Sequence, residues 1–282
     1  MLKIAVPNKG SLSEVSIDLI SKAGYKCKRY GKELSITDKA NDIEFIYLRP
    51  RDIAIYVGRG ILDLGITGRD LALDSKSDVS ELLGLGIGTS RFFYGVPAEL
   101  NITPDELGGK RIATSYPNIV RADLERRGIE AEVVKLDGAI EISVRLGVAD
   151  AIADVVESGR TLVAAGLKTI GEPIMTSEAA VIAKSRSRLE EPPVKLFIDR
   201  LNGIIVAREY VIIEYDVQQS ALEKACGITP GIESPTISPL SKAGWVAVKA
   251  MLPRKATNPA IDALVEIGAK GIIITQIQTC RI

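Results

Sequence analysis

The sequence predicts an α/β fold with a two-lobed core and a separate C-terminal module, and three observations predict it. Apolar strand-like runs alternate with helical patterns before Lys184, as in open sheets of parallel type covered by helices. Within that region Ile53, Ile55, Val57, Gly60 and Asp63 recur as Ile140, Ile142, Val144, Gly147 and Asp150, each 87 positions later (140 − 53 = 87), which suggests two similarly built lobes. From Tyr210 the order becomes strand, helix, two extended segments, helix and strand, a βαββαβ arrangement of ferredoxin-like type.

Each element has a local reason. "KIAVPN" is a buried strand, and Ser11 with Glu14 fits a capping box for a helix from Ser11 to Ala23 that Gly24 ends. "IEFIYL" at 43–48 is a strand, "RPRDIAIYVGRG" a helix stopped at Gly58 or Gly60, and "LDLGITG" a buried strand entering a glycine turn. The second round runs through strand "KRIATSYPN" from 110, helix "IVRADLERRG" closed by Gly128, strand "AEVVKL", helix "AIEISVRLG" and strand "ADAIADVV". "SRSRLEEPPVKLFIDRLNGIIVARE" gives a charged, proline-containing link and then a helix of about four turns from near Pro193. The last six elements are "YVIIEYDV", "SALEKACG", "ESPTISPL", "WVAVKAML", "NPAIDALVEIG" and "GIIITQIQ".

Composition excludes several functions. At 282 residues with 46% hydrophobic and 5% aromatic residues, the chain can bury a large aliphatic core in two or three domains. Lysine plus arginine equals aspartate plus glutamate at 36 each, so no global field draws nucleic acid or an anionic membrane, and phosphate binding falls to local clusters. "MLKIAVPNKG" turns polar after Val6 and runs such as "GIIIT" are far short of a membrane span, so a cytoplasmic location is expected. Cys27, Cys226 and Cys280 have no paired spacing, which suits a reducing compartment and neither a zinc knuckle nor a disulfide framework. The chain has no histidine, which excludes serine–histidine and cysteine–histidine nucleophile chemistry.

The stretch "ADVVESGRTL" at 153–162 places Asp154 inside a strand, ahead of a small-residue turn and a helix. Backbone N–H groups converging at a helix start bind phosphate, and small residues let the ligand approach them. Ser158 and Thr161 add hydroxyls, Gly159 the turn, Arg160 a cation, and Asp154 an acceptor for sugar hydroxyls, which together suit a ribose 5-phosphate. On spacing alone the same residues equally describe an N-cap, a turn glycine, a solvated arginine and a polar strand end.

End to end, the chain resembles ATP phosphoribosyltransferases of the long form, which open histidine biosynthesis. The resemblance is carried by "GAIEISVRLGVADAIADVVESGRTL" at 138–162, "VPNKGSLSE" near the start, "LRPRDIAIYVGRGILDLGITGRD" at 48–70 and "GITPGIESPTISPL" at 227–240. It implies a periplasmic-binding-protein-like catalytic core, with 1–91 and 182–208 as a discontinuous first lobe, 92–181 as the second lobe with the phosphoribosyl pyrophosphate site, and 209–282 as a histidine-binding regulatory domain. The implied reaction is a magnesium-dependent transfer of phosphoribosyl from phosphoribosyl pyrophosphate to an adenine ring nitrogen of ATP, releasing pyrophosphate. The implied assembly is a homohexamer inhibited by histidine, with AMP as a further ligand.

On this resemblance Ser158, Gly159, Arg160 and Thr161 cradle the 5-phosphate, Asp154 holds the ribose hydroxyls, and Glu141 assists at the sugar or metal. Glu141 also has the spacing of a helix-surface acid paired with Arg145. Lys9, Arg49 and Arg51 follow predicted strands, where cations can neutralise triphosphate and leaving pyrophosphate, although solvated basic residues occupy such places too. Asp70 and Tyr116 end two further strands and can face the purine or serve as cap or rim residues; among 13 aromatic residues (4 Phe, 8 Tyr, 1 Trp), Tyr116 is the preferred flat wall. No nucleophile is required, because displacement at an anomeric carbon passes through an oxocarbenium-like state that placed charge stabilises. Mg2+ held largely through pyrophosphate oxygens leaves little trace in sequence, so its protein ligands are unassigned. For the histidine effector the resemblance points to Asp216, Ile232, Ser234, Thr236 and Gly271, with isoleucine at 232 and glycine at 271 where the family often has leucine and alanine. The same segment also fits a stiff proline-bounded edge strand with solvated hydroxyls.

Other readings of the same architecture are a bilobal ligand sensor with an effector module, a phosphoribosyltransferase with a different nitrogen acceptor, and a catalytically inactive regulatory paralogue. Pyrophosphate release from ATP and phosphoribosyl pyrophosphate separates enzyme from sensor.

Overall fold

Strand β1 (Leu2–Pro7) has the nearly unbroken apolar pattern of a strand covered on both faces, and it lies inside the first sheet. In chain order there follow α1 (Ser11–Lys22), β2 (Ser35–Asp38), β3 (Ile43–Leu48), α2 (Pro50–Gly58), β4 (Leu64–Gly68), α3 (Arg69–Asp74), β5 (Ser80–Gly84), β6 (Ser90–Pro97), β7 (Arg111–Thr114), α4 (Pro117–Arg127), β8 (Glu132–Lys135), α5 (Ile142–Arg145), β9 (Ala151–Val156), α6 (Arg160–Ala164), β10 (Leu167–Ser177), β11 (Ala179–Ala183), α7 (Pro192–Glu209), β12 (Tyr210–Gln218), α8 (Leu222–Ile228), β13 (Thr236–Pro239), β14 (Trp245–Pro253), α9 (Thr257–Glu266) and β15 (Lys270–Gln276). The computed structural model describes every residue except Tyr30, Lys32, Glu157, Ser158 and Ile282. The chain forms two units, Met1–Ile198 and Asp199–Ile282.

The first unit holds a six-stranded sheet in the order β2-β3-β1-β4-β11-β5 and a five-stranded sheet in the order β10-β6-β9-β7-β8. Both are mixed rather than parallel throughout. In the first sheet β1 runs parallel to β3 and β4, while β2, β11 and β5 join antiparallel. In the second, β7 runs parallel to β8 and β9, while β6 and β10 join antiparallel. A buried apolar run carries no mark of its direction, which is why the sequence gives no warning of the antiparallel members. β11 follows the second sheet in sequence yet inserts between β4 and β5, so the two sheets exchange strands at the crossings near 85–89 and 177–179.

The offset of 87 is a real structural repeat. Gly60 and Gly147 both take left-handed backbone angles, φ 69 and 72. The amide of Gly60 donates to Val57 and that of Ile61 to Tyr56; 87 residues on, Gly147 donates to Val144 and Val148 to Ser143. These are paired Schellman closures, which need a residue free to adopt positive φ. Asp63 and Asp150 then clip each half to its first strand. Asp63 accepts the Lys3 amide at 2.8 Å and donates its own to Lys3 at 3.0 Å; Asp150 accepts the Arg111 amide at 2.9 Å and donates to Arg111 at 2.8 Å.

Three local expectations are corrected. Gly10 (φ 80), not Ser11, is the N-cap of α1, so Ser11 stands at the first helical position rather than at the cap expected of it. The helix expected over 139–147 shrinks to the four residues of α5, because Ala139 sits in the left-handed region (φ 48) and Gly147 closes the turn. α7 is longer than expected, with 18 residues from Pro192.

The second unit has the expected βαββαβ order. Its sheet runs β13-β14-β12-β15, antiparallel throughout. Val211, Ile213, Tyr215 and Val217 alternate inward from β12 and pack with Ala225 of α8 and Leu264 of α9. The intervening residues, including Glu214 and Asp216, occupy the opposite face.

Candidate active site

Asp154 lies in β9 opposite Phe93 of β6, half-buried, with its Oδ1 accepting the Val155 amide at 2.8 Å. Burial pushes its carboxyl above the ordinary carboxylate value; the Val155 bond and Arg51 oppose this, while Glu141 and Asp70 reinforce it. A cavity of about 340 Å³ opens beside it, lined by Glu141, Asp154, Val155, Gly159, Thr161 and Leu162 among others. Gly159 takes φ 72 as the N-cap of α6, so the backbone turns into the cavity at a position that penalises a side chain. Thr161 is exposed one residue into the helix, and Arg160 is exposed. Ser158 lies outside the described residues. Glu141, the residue before α5, is half-buried and among the described residues makes no ion pair with Arg145; it and Thr161 also line a neighbouring hollow of about 510 Å³.

A second cluster joins the two sheets. Tyr116 precedes α4, and the Asp70 carboxylate acts electrostatically on its hydroxyl. Burial, with Asp70 beside it, pushes the Tyr116 phenol well above its usual value. The Arg51 guanidinium sits 4.7 Å over the Tyr116 ring and donates to the Ser115 carbonyl at 2.8 Å. Phe92 meets that ring edge-on at 5.2 Å. Asp70 is only 7% exposed and is gripped by Ser177, whose hydroxyl donates to Asp70 Oδ1 at 2.9 Å and accepts the Asp70 amide at 3.1 Å. Asp154 feels both Arg51 and Asp70, so the acid pair and the tyrosine cluster share one field.

Lys9 and Arg49 are brought near each other at adjacent strand ends, because the Asn8 amide donates to the Leu48 carbonyl at 2.8 Å. Lys9 lines a separate hollow of about 580 Å³ with Asn8, Gly10, Glu14, Lys28 and Arg29 among its walls. Both Lys9 and Arg49 are exposed.

In the second unit Asp216 and Gly271 are neighbours: a Cβ on Gly271 would lie 3.8 Å from Asp216 Oδ2. Thr236 opposes Lys249 on β14 while Asp216 opposes Ala247, which puts them one strand apart and two residues out of step. Ile232 and Ser234 are exposed in the connection before β13, and among the described residues no hydrogen bond joins Asp216 to Ser234 or Thr236. Sequence reasoning missed Ser177 and Asp74, whose partners are 107 and 44 residues away, beyond the reach of any local signal.

No group of three or more His, Cys, Asp or Glu able to hold a metal occurs among the described residues. The Glu141 and Asp70 carboxylates both raise the cost of ionising Asp154. No described helix is long and apolar enough to cross a membrane.

Strand ends that offer carboxylates beside a glycine–hydroxyl turn, backed by a stacked tyrosine, define a two-lobed α/β core of the periplasmic-binding-protein type with a site for a small polar ligand. The fold alone is shared with an L-cystine ABC transporter candidate from Listeria monocytogenes, at TM-score 0.51 and 14% identity over 74% of this chain and 91% of that one. A solved chain described as an ATP phosphoribosyl transferase (HisG:HisZ) complex from Thermotoga maritima superposes at TM-score 0.64 with 29% identity, covering 73% of this chain and 99% of that one. ATP phosphoribosyltransferases from Salinibacter ruber and Corynebacterium efficiens are 54% and 53% identical over 282 residues, the full length of each chain. The family pattern for ATP phosphoribosyltransferase matches residues 49–203, and that for the HisG C-terminal domain matches 207–279. The chain belongs to the ATP phosphoribosyltransferase family and is an enzyme of that class, a transferase of the first step of histidine biosynthesis.

Proposed function

We propose that this site transfers phosphoribosyl from phosphoribosyl pyrophosphate to an adenine ring nitrogen of ATP, under feedback control by histidine. The observation that carries the reading is the cavity that sets Asp154 and Glu141 beside the Gly159–Thr161 turn. In it the turn residues Ser158 to Thr161 receive the 5-phosphate and Asp154 the ribose hydroxyls. The bond between the anomeric carbon and pyrophosphate breaks with its electron pair leaving on oxygen, and a bond to the purine nitrogen forms on the opposite face. Positive charge develops on the sugar between those events, and the desolvated Asp154 carboxylate is placed to stabilise it.

Tyr116, stacked under Arg51 and under the electrostatic influence of Asp70, serves as the wall for the purine. Lys9 and Arg49, at the neighbouring strand ends, together with Arg51, meet triphosphate and departing pyrophosphate. Mg2+ would neutralise phosphate oxygens in the bound substrate, with Asp154 and Glu141 as the nearest carboxylates to hold it. Residues 1–91 with 182–208, and 92–181, act as the two lobes around this site. Residues 209–282 act as the regulatory domain, with Asp216, Ile232, Ser234, Thr236 and Gly271 lining a histidine site. The reading includes a cytoplasmic homohexamer, with AMP as a further ligand.

Mixing the full chain with ATP, phosphoribosyl pyrophosphate and Mg2+ should release pyrophosphate only when both substrates are present, and histidine should suppress it. Release without ATP, or none at all, would refute the transfer reading.

A further inference from the structure

The N-terminus of α4 is capped by a residue of another helix. Tyr116, its N-cap residue, offers no side-chain cap, and Pro117 at the first position has no N–H. The next two amides, of Asn118 and Ile119, both donate to Asp74 Oδ1, at 2.8 and 3.2 Å. The bond is returned: Asn118 Nδ2 donates at 2.7 Å to the Asp74 main-chain carbonyl, which as the last of α3 has no partner within its own helix. Asp74 is 9% exposed, so these bonds replace water on both sides. α3 follows the first sheet's β4, and α4 follows the second sheet's β7, so each helix end completes the other across the core.

This reciprocal cap sits next to the tyrosine cluster. Asp70, one turn before Asp74 on α3, acts electrostatically on the Tyr116 hydroxyl, and Tyr116 is two residues before the capped Asn118. The hydrogen bonds from α3 that fix the start of α4 are therefore those of Asp74, directly behind the Tyr116 side chain on which Asp70 acts. With the amides released, α4 loses the anchor that sets the Tyr116 ring against Arg51 and Phe92.

We infer that Asp74 is a positioning residue for the ATP site, acting through the main chain of α4 on the orientation of Tyr116. The inference rests on the reading of Tyr116 as the purine wall. In the full-length enzyme, Asp74→Ala should raise the KM for ATP at least fivefold while the KM for phosphoribosyl pyrophosphate stays within twofold. Asp74→Asn, whose amide oxygen can still accept both N–H groups, should recover most of that loss. In a Tyr116→Ala background, where there is no ring to orient, adding Asp74→Ala should change the KM for ATP by less than twofold. Asn118→Ala removes only the returned bond and should give a smaller rise in the same direction, which keeps the test open if Asp74→Ala does not fold. Equal rises in both Michaelis constants, no rise in either Asp74→Ala or Asn118→Ala, or a full further effect of Asp74→Ala on top of Tyr116→Ala would each overturn the inference. If Tyr116→Ala alone left the KM for ATP unchanged, the purine-wall reading would fall instead.

Discussion

Asp154→Asn removes one charge from β9 at nearly constant shape, and its effects on stability and on catalysis should have opposite signs. In the fold, burial and the nearby Glu141 and Asp70 carboxylates hold the Asp154 carboxyl above its ordinary value. A carboxyl whose folded value is raised contributes stability that is fully present below its unfolded value, about 3.9, and is lost as pH rises through the folded one. At pH 7 the ionised side chain therefore costs stability, and the amide does not. Relieving a strained functional site of this kind is worth roughly 0.5–2 kcal/mol. With an unfolding entropy of about 2.1 cal/mol/K per residue, or roughly 0.4 kcal/mol/K for the 198-residue first unit, this corresponds to a rise in Tm of roughly 1–5 °C at pH 7. Calorimetry at several pH values should show the gain shrinking toward pH 4. Activity should move the other way, with kcat falling about 10²–10³-fold, as when one preorganised electrostatic group is lost, and the KM for phosphoribosyl pyrophosphate rising. A variant less stable than the parent at pH 7, or one whose advantage grew on acidification, would refute the desolvation argument; unchanged turnover would refute the electrostatic one.

Thr161→Ala should raise the KM for phosphoribosyl pyrophosphate about tenfold or more, the effect of losing a hydroxyl bond to a charged phosphate, with the ATP constant moving much less; steady-state kinetics with each substrate varied would expose a wrong assignment as equal shifts. Asp216→Ala should weaken histidine inhibition roughly tenfold to a hundredfold while uninhibited activity holds, and an inhibition curve overlaying that of the parent would remove Asp216 from the effector site. Asp150 is held at a pKa of about 2, first by the Arg111 guanidinium and then by the Arg111 amide, so its contribution is present above pH 4 and is lost as pH falls through about 2. Because both side chains are about 40% exposed, Asp150→Asn should cost under about 1 kcal/mol in urea unfolding at pH 7 and much less near pH 2; a pH-independent loss would contradict the ion-pair account.

The repeat is the part of the fold most legible in the sequence, because Gly60 and Gly147 mark turns that require positive φ and Asp63 and Asp150 mark the clips behind them. The βαββαβ order was equally plain, since the alternation in "YVIIEYDV" separates the inward Val211, Ile213, Tyr215 and Val217 from the outward Asp216. Sheet order was not legible: "AAVIA" of β11 is apolar in every position whichever strand it joins and in whichever direction. For the candidate site, "ADVVESGRTL" brought Asp154, Gly159 and Thr161 to one cavity as the spacing suggested. The contacts that hold Tyr116 in place stayed hidden, because Ser177 and Asp74 act through partners remote in sequence and neither occupies a recognisable motif.

The place of β11 between β4 and β5 has a consequence for how the chain is made. At its inner side β5 pairs with β11 and with no other strand, and β4 has β11 on the side away from β1. The five-stranded sheet, by contrast, is assembled from one continuous run, β6 to β10. On a growing or refolding chain the second sheet can close while the first still presents an unpaired edge, and such edges attract other chains. Pulse-labelled hydrogen exchange during refolding should then show protection at Ala153 and Tyr94 ahead of Val181 and Leu83; simultaneous protection would mean that the sheets form as one. The lobe written first is thus the last to be finished, and Ala179–Ala183 is the stitch that finishes it.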